Sequence, residues 1–351
     1  MKKKPWILYL VGAVLLGALL WYVHQRVHFQ WSVFRDQLQH VDWPRIGIAV
    51  AMIVFCYWLR AARWAVLIKS QKKVSTSSLW GTQVIGFTAV ALFGRLADPV
   101  RPYLVSKRTQ LTLSSQVAVY TVERMFDLAA TVLIFASALL LAPDRATLPH
   151  HEKLQHGALF GLAGIVAFVI FAIWVRTSGK AIEGFVETFV GSRSPDLGRW
   201  TVAKISAFRD GLSSITGLGD FLRCAALSLL MWCLITAAYL QVARSFVLSP
   251  ELSGMTLSRC LVLMAASMLG SALQLPIVGW FTQIGVTAGA MGTMNVQVEP
   301  ALACGTMLLI VTFMSVVPLG LIWARIEHVS LKKVSEESEE LSEQTPAVSE
   351  A

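Results

Sequence analysis

The residues best equipped for chemistry lie in one stretch, Gly86 to Asp127, which reads GFTAVALFGRLADPVRPYLVSKRTQLTLSSQVAVYTVERMFD. Arg95, Asp98 and Arg101 follow one another at intervals of three, so a helical or turn-like backbone gathers them. Asp98 precedes Pro99, which biases it out of the helical region and suits a hairpin broken by Gly94, Pro99 and Pro102. Two guanidiniums flanking one carboxylate leave net positive charge, and Arg can hold a phosphate with a two-pronged hydrogen bond. An ion network that fixes the hairpin and a cradle for an anionic headgroup both satisfy this pattern, and one group of residues can do both. Glu123, Arg124 and Asp127 come next, with Glu123 and Asp127 on one helix face at a separation of four. Carboxylates at a helix N-terminus gain from its dipole, and the basic residues of the preceding hairpin are their expected partners. The sequence leaves open whether they carry protons or only pair with Arg.

Two other places carry polar groups in apolar surroundings. In WLRAARWAVLIK, Arg60 and Arg63 sit three apart beside Trp58 and Trp64, a pattern that predicts an interfacial anchor at the membrane border, with headgroup contact as a second role. In LGSALQLPIVGWFTQIGVTAGAMG, Pro276 and Gly279 break a helix, small residues allow close approach, and Gln274 and Gln283 could hydrogen-bond a ligand or each other. Catalytic motifs are missing: there is no GxxxxGK[ST], GxSxG or HExxH. No catalytic residue, cofactor or metal is therefore expected.

The elements that must position these residues follow from composition. The 351-residue chain is 55% hydrophobic and 15% charged, with a mean hydropathy of +0.61, which points to lipid as its solvent. Its net charge of +9 comes from Lys and Arg beside apolar runs, which suits anionic lipid headgroups and excludes a nucleic-acid-binding domain. The five cysteines lack metal-ligand spacing and read as free, packed thiols. The basic, apolar opening MKKKPWILYLVGAVLLGALLWYV reads as a retained anchor.

A spanning helix needs roughly 20 apolar residues. Six stretches qualify: Pro5 to Val23, Ile46 to Ile68, Val122 to Leu141, Gly157 to Val175, Phe221 to Val242 and Pro300 to Trp323. Lys2, Lys3 and Lys4 set the N-terminus inside, and the basic residues after the second span return the chain there. Were Leu79 to Phe93 a further crossing, Arg95, Arg101, Lys107 and Arg108 would be delivered outside, so that segment predicts a re-entrant hairpin. Leu261 to Met294 predicts a second, entering from the opposite face. The fold class expected is an all-α integral membrane protein of about six spanning helices plus two opposed re-entrant hairpins, eight apolar segments that fit an inverted repeat. Within the membrane domain, 1–333, residues 176–219 read as cytoplasmic interfacial helices, with Ile182, Phe185, Val186, Phe189 and Val190 in one and Val202, Ile205, Phe208, Leu212 and Ile215 in the other. The acidic tail, 334–351, reads as disordered, and both termini as cytoplasmic.

In order along the chain, WLRAARWAVLI, GFTAVALFGRLADPVRPYLVSKR, VYTVERMFD and the late LPIVG resemble the lysylphosphatidylglycerol synthase transmembrane region family. It comprises the flippase half of the bacterial multiple peptide resistance factor and free-standing relatives. The resemblance runs from the second span to the last and is most specific at the hairpin and the ERxxD after it. By position, Arg95, Arg101 and Pro102 match the family's Gly-rich turn and basic-Pro pattern, Asp98 its preceding acidic residue, and Glu123, Arg124 and Asp127 its ERxxD. The late motif departs, with Val278, Trp280 and Gly285 where the family often has Pro, Gly and Glu. With no aminoacyl-transferase domain after the last span, the resemblance implies the translocating half alone.

The function expected is a bacterial inner-membrane lipid translocator, flippase-like and not an enzyme. It would move an anionic or modified phospholipid, or a polyprenyl-phosphate-linked lipid, between leaflets. Headgroup-binding residues would be Arg95, Asp98, Arg101, Glu123, Arg124, Asp127, Gln274 and Gln283. Its partners would be lipids with phosphate-bearing headgroups, with a homodimer and a partner lipid-modifying enzyme also in view. Two other classes stand beside it: a transferase acting on a lipid-phosphate carrier, and a non-transporting membrane partner protein.

Overall fold

A computed structural model of the chain describes residues 29–94, 97–141, 143–144, 151–189, 192, 201–202, 206, 217–271 and 278–330. The described residues are almost entirely helical, because in lipid only a helix or a closed barrel satisfies every backbone N–H and C=O within the chain. In order they form α1 (Trp31–Gln39), α2 (Trp43–Leu67), α3 (Thr76–Phe93), α4 (Val100–Thr109), α5 (Leu113–Leu141) and α6 (His151–Phe189). After these come α7 (Leu218–Arg244), α8 (Pro250–Ser253), α9 (Leu257–Gly270), α10 (Val278–Gly292), α11 (Val298–Leu309) and α12 (Val316–Ile326).

Five stretches are long and apolar enough to cross a membrane: Trp43–Leu67, Leu113–Leu141, His151–Phe171, Leu218–Arg244 and Val298–Ile326. They correspond to five of the six spans expected from hydropathy, and the sixth, Pro5 to Val23, lies outside the described residues. Two features differ from a plain reading of apolar runs. The helix expected to end at Val175 continues to Phe189 through non-helical Ser178. Ser178 and Gly179 form the Ser/Gly pair at which helices bend without ending. The last span contains a π-helical turn, Ile310–Met314, in which Ser315 N–H donates five residues back to the Ile310 carbonyl at 2.8 Å. Of the second expected interfacial set, only Val202 lies within the described residues.

The chain divides into two compact units. The first comprises Met1–Ile53, Val90–Arg95 and Thr236–Ser315. Its centre is a helical hairpin, α9 against α10, with α11 packed on α10. The packing depends on small residues: a Cβ on Gly270 would sit 2.8 Å from the Gln283 Cα, and one on Gly305 3.3 Å from the Ile284 carbonyl oxygen. Glu299 Oε1 accepts from the Gln30 N–H at 3.1 Å, tying α11 to the start of α1.

The second unit comprises Val54–Ala89, Leu96–Ile235 and Val316–Ala351. Its core gathers Ala61, Trp64, Leu67, Ile68, Leu79, Val105, Val119, Val122 and Cys224. Within it α3 and α4 form an antiparallel pair: Gly86 lies against the Arg101 side chain, and Arg108 Nε donates to Ser78 Oγ at 3.5 Å. Gly94 ends α3 with φ 78°, a left-handed conformation suited to a residue without Cβ, while its N–H caps the Val90 carbonyl at 2.9 Å. Pro99 precedes α4, and Pro102 falls in its first turn, where a missing N–H has no intrahelical acceptor to lose. Lys72 Nζ donates to the Thr109 carbonyl at 2.9 Å, so the end of α4 returns to the segment that precedes α3.

Candidate functional site: a buried arginine and carboxylate cluster

All the residues of this site belong to the second unit. α5 presents Glu123 and Asp127 on one face, one turn apart, both buried, with Glu123 fully enclosed. A carboxylate pair in an apolar interior demands compensation, because isolated buried charge is costly by several kcal/mol, of order 20 in the idealised limit. Four guanidiniums supply it.

Arg63, from α2, has both terminal nitrogens engaged, while its Nε has no partner. Its Nη1 donates to Asp127 Oδ1 and to Ser228 Oγ, both at 2.6 Å, and its Nη2 donates to Glu123 Oε1 at 2.7 Å. Arg101, from the first turn of α4, donates through Nη2 to Gln83 Oε1 and to both Glu123 oxygens, each at 2.9 Å. Arg124 reaches Asp127 Oδ2 at 2.7 Å and Glu123 Oε1 at 3.4 Å. Arg60 stands farther off, with Nη1 3.8 Å from Glu123 Oε1 and 3.7 Å from Asp127 Oδ2.

Aromatic and amide groups frame the charges. The Arg60 and Arg101 guanidiniums lie 4.7 Å and 4.3 Å from the Phe87 ring centroid, and Arg101 also lies 5.2 Å from Trp64. Trp232 Nε1 donates to Asp127 Oδ1 at 3.2 Å, and Trp64 Nε1 to Gln116 Oε1 at 2.9 Å. Gly86 on α3 is what lets Arg101 come close, since a Cβ there would collide with its side chain.

Of the site residues read from sequence, Arg101, Glu123, Arg124 and Asp127 come together. Asp98 is half-buried and acts electrostatically on Arg124 and Tyr120. Arg95, Gln274 and Pro276 lie outside the described residues. Gln283 belongs to the first unit, where its Nε2 donates to Ser267 Oγ at 2.9 Å, and Ser267 Oγ also accepts from Tyr239 at 3.0 Å. Gly279 lies in the first turn of α10, and its carbonyl accepts from Thr282 Oγ1 at 2.9 Å.

Arg60 and Arg63 require a correction. They were expected at the membrane border as anchors, but the structure turns both inward, leaving Arg63 only 1% exposed. The carboxylates on α5 outcompete an aqueous border for guanidiniums one turn apart on α2. Gln83, Phe87, Gln116, Ser228 and Trp232 went unnamed by the sequence reading. Gln83, Gln116 and Ser228 did carry a signal, being polar residues inside apolar helices. Phe87 carried none.

Residues 9–320 match the family described as the lysylphosphatidylglycerol synthase TM region. The chain belongs to that family. No curated protein and no solved structure matches it. The lysylphosphatidylglycerol synthase transmembrane match takes in every residue of the buried cluster and the last span as far as Gly320. The protein is thus an all-α, multi-pass membrane protein of a lipid-related family, with four arginines gathered on two carboxylates inside its apolar helices.

Proposed function

We propose that the protein is a bacterial inner-membrane lipid translocator, moving an anionic or modified phospholipid, or a polyprenyl-phosphate-linked lipid, between leaflets. The single observation carrying this reading is the cluster of Arg60, Arg63 and Arg101 with Glu123 and Asp127, buried among helices fit to cross a bilayer, with a part-exposed Arg124 at its edge. A headgroup crossing hydrocarbon loses its water, and guanidiniums at membrane depth replace those lost hydrogen bonds while the acyl tails stay in lipid. The α3 and α4 pair serves in this reading as a re-entrant hairpin on which such a path is built. Both termini then face the cytoplasm.

The protein's groups act by binding and release, with Arg101 exchanging one carboxylate oxygen of Glu123 for a headgroup oxygen as the lipid passes. The test is leaflet exchange of labelled phospholipid in proteoliposomes containing the full chain. Arg101→Ala is expected to slow exchange about tenfold or more, the equivalent of losing one charge-assisted hydrogen bond of roughly 1.5–3 kcal/mol. Exchange unchanged by Arg101→Ala removes that residue from the path.

A further inference from the structure

The four arginines of the cluster are not equivalent. Arg63 has both terminal nitrogens in hydrogen bonds of 2.6–2.7 Å, Arg101 is shared between Glu123 and Gln83, and Arg124 is bound to Asp127 at 2.7 Å. Arg60 is nine-tenths buried yet stays 3.7–3.8 Å from the nearest carboxylate oxygens, beyond hydrogen-bond range, and its Nη1 has no acceptor. The Phe87 face, 4.7 Å from its guanidinium, holds the side chain in place without using its N–H groups.

Other buried groups of the same unit have the same unmet need. Gln83 Nε2, Gln116 Nε2 and Arg101 Nε are buried with no acceptor. Both amides are already oriented, because Gln83 Oε1 accepts from Arg101 and Gln116 Oε1 from Trp64. Arg63 Nε and Arg124 Nε are unmet as well, and the one acceptor among these groups without a hydrogen bond is Asp127 Oδ2, 3.7 Å from Arg60 Nη1, so donors outnumber acceptors and the balance favours an acceptor-rich group over a cation. Charge agrees: among the described residues, four guanidiniums face Glu123 and Asp127 with Asp98 nearby, an excess of one positive charge.

We infer that Arg60 is the seat of a singly charged phosphate oxyanion, a phosphodiester headgroup, received by Arg60 Nη1. Arg63 in contrast is the internal counter-ion that holds the two carboxylates. The inference deepens the translocator reading by naming which residue takes the headgroup, and it rests on that reading only for the lipid as the source of the oxyanion.

The test is titration calorimetry on purified full-length protein in neutral detergent at low salt. The probes are a short-chain phosphatidylglycerol, a diacylglycerol with the same tails, and glycerophosphoglycerol, the headgroup without tails. Phosphatidylglycerol is expected to bind at least about tenfold more tightly than either of the others, and Arg60→Gln to weaken it by a similar factor. The thermal melt should hardly move, because Arg60 Nη1 makes no hydrogen bond inside the cluster. Arg60→Met, close in volume and uncharged, is the second variant should Arg60→Gln fail to fold. Binding of phosphatidylglycerol that is unaltered in both variants overturns the assignment, and so does diacylglycerol binding as tightly as phosphatidylglycerol. Glycerophosphoglycerol binding as tightly as the lipid in an Arg60-dependent way supports the oxyanion seat and overturns its lipid source. Arg60-dependent binding with no leaflet exchange keeps the seat and removes translocation, whereas exchange that persists with Arg60-independent binding does the reverse.

Discussion

Arg60 and Arg63 lie one turn apart on α2 and face the same two carboxylates, yet their hydrogen bonding predicts opposite consequences of removal. Arg63→Ala strips Glu123 and Asp127 of their shortest contacts in a site closed to water. Uncompensated buried charge of this kind costs about 3–5 kcal/mol, so the variant should melt far lower than the parent or fail to accumulate in membranes. Arg60→Gln should melt within a few degrees of the parent. Differential scanning fluorimetry on the two purified variants checks the contrast, and equal melting losses would contradict it. Part of this site was legible in the chain itself. The spacing of Glu123 and Asp127 put them on one face, and Arg101 was recognised as a partner from the preceding hairpin. The inward turn of Arg60 and Arg63 was not legible, because LRAAR beside two tryptophans reads equally as an interfacial girdle. Only the arrival of α5 against α2 separates the two readings.

Helices in this protein approach one another where glycines permit it, and the permission is local. Gly270 on α9 meets the α10 backbone at Gln283, whereas Gly285, on α10 itself, has nothing within 4 Å of where a Cβ would be. Gly270→Ala is therefore expected to loosen the α9 and α10 hairpin, at a cost on the order of 1–3 kcal/mol for an overpacked contact. Gly285→Ala should be neutral or slightly stabilising, since Ala is the better helix former by about 1 kcal/mol. Thermal melts of the two variants decide the point. Hydropathy located three of the five spans to within three residues at each end, set the starts of the other two nine and six residues late at Val122 and Gly157, and found the break at Gly94, because apolar length and a residue able to adopt positive φ are local properties. It did not foresee the π-helical turn at Ile310–Met314 or the continuation of α6 through Ser178. The first is a one-residue shift of backbone hydrogen bonding inside an apolar run, and the second keeps the helix going through the polar Arg176–Lys180 stretch, where hydropathy falls.

At the scale of the molecule, a path for headgroups needs polar groups inside and an apolar exterior toward lipid. Phe160, Ile170, Leu128 and Leu141 are all strongly exposed on the span helices, as lipid-facing residues should be. The re-entrant arrangement carries its own prediction. Cysteines introduced at Lys73 and Gln110, before and after the α3 and α4 pair, should react with an impermeant maleimide from one face of oriented vesicles only. One at Pro99, between the two helices, should not react from the other face. A background lacking the exposed Cys233 keeps the labelling specific. Reaction of the Pro99 site from the opposite face would mean two full crossings instead of a re-entrant pair.

Leaflet exchange measures headgroup passage directly. Purified full-length protein is reconstituted into vesicles containing a trace of fluorescent phosphatidylglycerol, and an impermeant quencher reports how much label reaches the outer leaflet with time. Exchange should rise with the amount of protein and fall toward the protein-free rate when Arg101 is replaced. Exchange in wild-type proteoliposomes no faster than in vesicles without protein would contradict the translocator reading.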